Sequence, residues 1–210
     1  MKLNKIEPKY INKANPRVGL IALGSDFRIE KDFNNVIYGR DIDLYVNRIH
    51  CYNPLTNETL AKMADDITDV VSDILPDQKI DCVAYGCTSG TVAAGYDLIK
   101  TKVNLAKPEA KVTTPITAAV KALEALGIKK ISIFTPYTKT INDLVVGYFE
   151  KENIIINSLT YFDIDSDLDI GKVDEDYLFE VLSKIDLSES DALFVSCTAL
   201  PVLSIIDKLE

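Results

Sequence analysis

"KIDCVAYGCTSGTVAAG", residues 79–95, and "ESDALFVSCTALPVLSI", residues 189–205, decide how this chain folds. Each runs from a polar lead-in through an Asp and an apolar strand to a small residue, then Cys-Thr, then an apolar stretch with helical character. Duplication of one supersecondary unit is the natural origin of such a match. It predicts two lobes related by approximate symmetry, each presenting a Cys-Thr pair at a strand-to-helix turn, with the boundary near residues 108–116.

Outward from these units, short apolar runs alternate with helical-period segments, the sequence form of βαβ units around parallel sheets. The expected strands are 17–23, 43–49, 81–86, 111–114, 130–135, 154–162 and 192–197. "TNETLAKMADDITDVVSDIL" opens on a cap at Thr56 and Thr59, and keeps Leu60, Met63, Ile67, Val70, Val71 and Ile74 on one helix face. "ITAAVKALEALG" starts after Pro115 and stops at Gly127, the usual order of helix breakers. The fold class is therefore α/β, two pseudo-symmetric Rossmann-like lobes with a cleft between them. An arm over 1–16 precedes a first lobe, 17–110, and a second, 111–210. The acidic stretch 163–176 reads as a loop after a strand, where open α/β sheets bind ligands.

Composition narrows the partners. A net charge of −9 without any Lys/Arg cluster excludes a nucleic-acid surface. No run of eighteen apolar residues offers a membrane span, and the N-terminus lacks a signal-peptide pattern, so a cytoplasmic protein is expected. Four cysteines, Cys51, Cys82, Cys87 and Cys197, include no C-x-x-C pair and are expected as free thiols. Self-association is left open.

Chemistry centres on Cys87 and Cys197. A thiol at a helix N-terminus feels unpaired N–H groups and the positive end of the dipole, which favour thiolate. Thr88, Ser89 and Thr198 add hydroxyls able to close around a carboxylate or a developing enolate oxygen. Two such thiols across a cleft suit cofactor-independent racemisation of a carbon acid, one removing a proton and the other supplying one. They suit equally a conjugate addition to an alkene followed by rotation, a cis–trans isomerisation. Several residues also have a plain reading: Asp26, after Ser25, as a helix cap; Thr135 and Tyr137 as turn residues; Asn53 and Pro54 as a turn; Cys82 as core; His50 as a strand-end side chain, with the adjoining Cys51 lacking metal-ligand spacing.

Together "YGCTSG", "SCTAL", "FTPYTKTINDLVVGYF" and "LIALGSDFRIEKDF" resemble the aspartate/glutamate racemase superfamily, in its branch of maleate cis–trans isomerases, arylmalonate decarboxylases and ectoine-utilisation racemase-like proteins. The resemblance runs from about Arg17 to the end, and "RIHCYNPLTNETLAKMA" brings it nearest to the ectoine group. It implies two catalytic cysteines, no metal or organic cofactor, and substrate contacts from Tyr137 and Thr135, with Thr114 facing them. Family members continue after the second Cys-Thr segment with a further strand and helix, so a truncated second lobe is expected.

Two departures bear on substrate. Arylmalonate decarboxylases keep only the second cysteine, which disfavours decarboxylation here. Maleate isomerases carry Asn where this chain has Asp26 and Asp167, and an ionised Asp cannot donate to a substrate carboxylate as an amide does. An amino-acid-like carbon acid, such as an N-acetylated diaminobutyrate, is the expected substrate, with a maleate-type isomerase holding a covalent Cys87 adduct as the alternative. A lyase of the superfamily, a small-metabolite binding module and a Cys87–Cys197 disulfide switch complete the range.

Overall fold

The computed structural model describes residues 1, 3–11 and 14–210; the described residues before Arg17 carry no helix or strand, and the expected arm also includes positions outside the described set. β1 (Arg17–Leu23) is apolar from Val18 onward, and both its faces are covered over Gly19–Leu23. Leu20 and Ala22 pack under α1 (Ile29–Ile37) through Ile29, while Ile21 and Leu23 enter the main core. β2 (Asp43–Ile49) is the outer neighbour. The expected single helix after it is divided into α2 (Asn57–Lys62), a 3-10 turn (Met63–Asp66) and α3 (Ile67–Ser72). The tighter winding re-phases the apolar stripe so that Met63, Ala64 and Ile67 are all buried. Thr56 and Thr59 form the capping box at its start.

β3 (Cys82–Tyr85), α4 (Thr88–Ala94), α5 (Tyr96–Ala106) and β4 (Lys111–Thr113) complete the first sheet, whose order is β2-β1-β3-β4 with every pairing parallel. α6 (Pro115–Leu126) is capped by Thr114 and closed by Gly127 at φ 70°, a left-handed position. β5 (Lys130–Thr135), α7 (Lys139–Lys151), β6 (Ile155–Tyr161), α8 (Asp167–Gly171), α9 (Glu175–Leu182) and β7 (Ala192–Val195) follow. The second sheet is β6-β5-β7, again parallel. One apolar cluster, from Ile21 and Val83 to Ile133 and Phe149, runs through both lobes.

Further expectations are corrected. The acidic stretch 163–176 is not a plain loop: it winds into α8, which buries Ile170, and leads into α9, whose cap is Asp174 accepting from Tyr177 N at 2.8 Å. The second Cys-Thr segment is not followed by a helix of the first kind. Turns occupy 198–205, and only a short α10 (Ile206–Leu209) comes after them. Cys82, expected as core, is half-buried. Among the described residues no helix is long and apolar enough to cross a membrane.

Candidate active site

The carboxyl ends of parallel strands gather the residues of interest, as the geometry of open α/β sheets leads one to expect. Ser25 and Asp26 follow β1, Cys87 follows β3, Thr114 follows β4, Tyr137 follows β5, Asp167 follows β6, and Cys197 follows β7.

Cys87 is the N-cap of α4 and is buried. Its Sγ accepts from Gly90 N at 3.1 Å and lies 3.5 Å from Ser89 Oγ. Thr91 fastens the turn from below, donating both N (3.2 Å) and Oγ1 (2.6 Å) to Cys87 O. The helix N-terminus was expected to favour thiolate. Burial outweighs it here: loss of solvent pushes the Cys87 thiol up to about 12, although Ser89 and the Gly90 N–H pull the other way. Thr88 and Ser89 are buried beside the sulfur.

Cys197 sits at φ 90°. Burial again comes first in holding its thiol well above the ordinary value, followed by the charge of Asp167; Ala199 N–H and Tyr137 oppose them. The residue as a whole retains intermediate exposure and borders the neighbouring cavity. Tyr137, 2 % exposed, receives the Ser196 hydroxyl at 3.2 Å and lies within reach of both Cys197 and Cys87. Thr135 has its hydroxyl committed, donating to Asn142 Oδ1 at 2.5 Å and accepting from Tyr137 N, so it shapes the turn under Tyr137. Thr114 is likewise committed to the capping box with Thr117.

Contacts between the lobes tie the remaining candidates together. Thr198 Oγ1 donates to Asp26 Oδ2 at 2.9 Å and reaches Gly86 O at 3.1 Å, the residue before Cys87. Asp26 Oδ1 accepts from Arg28 N and Ile29 N, so the capping role read for it is realised along with the bond across the cleft. Asp167 is 3 % exposed and accepts from Ser25 Oγ; burial raises its carboxyl above the ordinary range, and neighbouring Asp26 adds to the rise.

Four participants escaped sequence reasoning. Asn53 Oδ1 holds Asp167 N at 3.3 Å, and Leu55 N donates to Asp165 O at 2.7 Å, so the 53–55 turn is stitched to the acidic segment. Arg28 clamps Gly171 O through Nε and Nη2 at 3.2 and 3.1 Å. Cys51 is buried where His50 is exposed: burial pushes its thiol up to about 11 against the pull of Ser25, and Asp167 and Asp26 add to the rise. Tyr85 borders Gly90 together with Cys87. The signal for Cys51 was available, since it follows a strand at the same level as Ser25. An apolar cavity of about 380 Å³ opens beside Cys197 and Thr198, walled by Ile29, Phe33, Ala118 and Leu203; that wall suits hydrocarbon and not a carboxylate.

Comparison with known proteins matches this fold. A maleate isomerase of Geobacillus stearothermophilus is 26% identical over 209 residues, covering 92% of this chain and 82% of that protein. The crystal structure of the maleate isomerase Iso of Pseudomonas putida superposes with a TM-score of 0.83 at 22% identity, over 93% of this chain and 84% of the other. A Nocardia farcinica maleate cis-trans isomerase, a cysteine-to-serine variant with a covalently bound succinylcysteine intermediate, gives 0.82 at 21% identity, over 92% and 82%. A liganded arylmalonate decarboxylase variant gives 0.77 at 18%, over 93% and 83%. The relatives found are of the maleate isomerase kind, and the expected nearness to the ectoine-utilisation group is not among them. With residues 48–210 matching the arylmalonate decarboxylase family, this chain belongs to that family.

Proposed function

We propose that this chain is a cofactor-independent isomerase of a small unsaturated carboxylate, working through a covalent Cys87 adduct. This puts the maleate-type alternative ahead of the racemase first expected, because the similar proteins are maleate isomerases, one of them carrying a cysteine-bound intermediate. The observation that carries the reading is the joining of two buried thiol turns through Thr198, which bonds both Asp26 and the carbonyl before Cys87.

In this mechanism Cys87 thiolate adds to one alkene carbon, and the π electrons move to the neighbouring carbon and its carboxylate as an enolate. Thr88 and Ser89 are placed to stabilise that oxygen. Cys197 protonates the carbanion carbon and becomes thiolate; the former double bond is then single and rotates. Removal of the same kind of proton by Cys197 and expulsion of Cys87 restore the alkene in the trans form. Tyr137 orients the carboxylate from the Cys197 side, Ser25, Asp26 and Asp167 define the far end, and Thr114 and Thr135 support the frame. The lobes are 17–110 and 111–210, after an arm over 1–16, and the site needs no metal or organic cofactor.

A second reading has its own observation. Asp167 is a buried carboxyl beside the thiols with Asp26 adding negative charge, an arrangement that suits a substrate ammonium better than a second carboxylate. It supports racemisation of an amino-acid-like carbon acid, of the N-acetylated diaminobutyrate type. Incubation with maleate and, separately, with a panel of amino acids in heavy water distinguishes them. Fumarate formation with a substrate-mass adduct on Cys87 is the expected result. Washout of an α-hydrogen without either would transfer the function to the second reading, and neither reaction would leave a metabolite-binding module.

A further inference from the structure

The steps above give Tyr85 nothing to do, yet its placement is specific. It ends β3, in register with Ile21 of β1, and is 1 % exposed. A phenol buried that far needs a hydrogen-bond partner inside the protein. Cys87, two residues along, is the group that bears on it most after burial. Gly90 explains how the two meet. A Cβ at that position would fall 2.5 Å from Tyr85 Oη, 3.0 Å from Cys87 Sγ and 3.0 Å from Met63 Cε. Phenol and sulfur thus converge on a gap that any larger residue would fill.

We propose that Tyr85 is the positioning residue of Cys87: its hydroxyl, seated against Sγ in the space kept by Gly90, donates to the sulfur as negative charge gathers there. With Gly90 N at 3.1 Å and Ser89 Oγ at 3.5 Å, the phenol makes a third donor around one sulfur. Three donors on a rigid strand-to-helix turn fix the direction of the lone pair and offset the cost of forming a thiolate away from water. The counterpart at Cys197 is Tyr137, supplied from the end of β5 and steadied by Ser196. Each thiol therefore has a buried phenol, delivered by a different route. The inference rests on Cys87 being the reacting thiol of the proposed isomerase.

The test is alkylation of the full-length protein by iodoacetamide between pH 7 and 9, with the modified cysteine identified by peptide mass, alongside steady-state kinetics. Tyr85→Phe keeps the ring and removes only the hydroxyl. It is expected to slow Cys87 alkylation about tenfold at each pH, leave Cys197 alkylation unchanged, and lower kcat by a similar factor with KM within about twofold. Gly90→Ala, which drives a methyl between phenol and sulfur, is expected to slow Cys87 in the same way. An unchanged Cys87 profile in folded Tyr85→Phe overturns the proposal. If the parent protein turns over no unsaturated acid, the isomerase reading fails while the alkylation comparison still decides the pairing of Tyr85 with Cys87.

Discussion

The two Cys-Thr turns begin alike and end differently. At the first, Cys87 caps a true helix, and the amide four residues later, Thr91 N, donates to Cys87 O. At the second, the residue four later is Pro201, which has no N–H to give. The chain instead makes short turns, with Leu200 N on Cys197 O at 3.3 Å and Val202 N on Leu200 O at 2.8 Å. Cys197 itself is turned to φ 90°. One proline thus converts a duplicated unit into two unlike sites: a thiol ringed by the donors of its own turn, and a thiol held on a strained backbone that relies on Ala199 N–H and on Tyr137, which follows β5.

The difference suits a division of labour between nucleophile and proton donor, and the largest effect should break the symmetry outright. Cys87→Ala is expected to lower turnover by roughly 10³-fold or more, with no adduct. Cys197→Ser should lose activity on a similar scale but accumulate substrate on Cys87, visible as a shifted intact mass. Equal losses with no adduct in either variant would restore a symmetric acid/base pair. The thiol itself gives a pH test. Because burial pushes Cys87 up to about 12, its thiolate fraction is small at neutral pH, and alkylation should climb about tenfold per pH unit without levelling before pH 10.

Next in size is the bridge between the turns. Thr198→Val removes the donor to Asp26 and to Gly86 O while keeping the shape. Loss of this one hydroxyl donor, shared between a carboxylate and a carbonyl, should cost about 1–2 kcal/mol in denaturant unfolding. Asp26 remains capped to Arg28 N and Ile29 N, so α1 should stay in place.

Much of this was legible before any coordinates. β1 and β5 match the expected 17–23 and 130–135 because a strand buried on both faces is simply an apolar run between breakers, and the edge strand β2, with Ile49 alone buried, also matches 43–49. The two catalytic candidates were readable from repetition of Cys-Thr after a strand. What stayed hidden depends on contacts between distant residues. Asn53 reads as a turn residue until Asp167 N is found on it. Tyr85 reads as strand core until the Gly90 gap is seen. The thiolate expectation failed because a helix terminus is local information, whereas desolvation belongs to the assembled fold. Pro201 was in plain view; its weight becomes clear only by aligning it with Thr91.

Asp167 sharpens the comparison with a smaller effect. Its charge is the cause after burial for Cys197, but ranks behind Ser89 and Gly90 for Cys87. Asp167→Asn should therefore speed alkylation at Cys197 more than at Cys87. Its own carboxyl is raised in the fold, so its contribution to stability is full below about 3.8 and is lost as pH rises through the folded value. The Asn variant should lack that decline and gain stability relative to the parent between pH 4 and pH 7, read from unfolding midpoints at the two pH values.

The smallest effect isolates the backbone of the second turn. A non-glycine residue at φ 90° holds a conformation that glycine adopts freely, so part of the stability of the fold is spent on seating Cys197 there. Cys197→Gly and Cys197→Ala both remove the thiol and should be equally inactive, but glycine alone relieves the strain. The glycine variant is expected to unfold at higher denaturant, by about 1 kcal/mol, despite its greater freedom in the unfolded chain. At Cys87, with φ −142°, the order should reverse and alanine should be the more stable replacement. The same order at both positions would mean that the two turns differ in their partners and not in backbone strain.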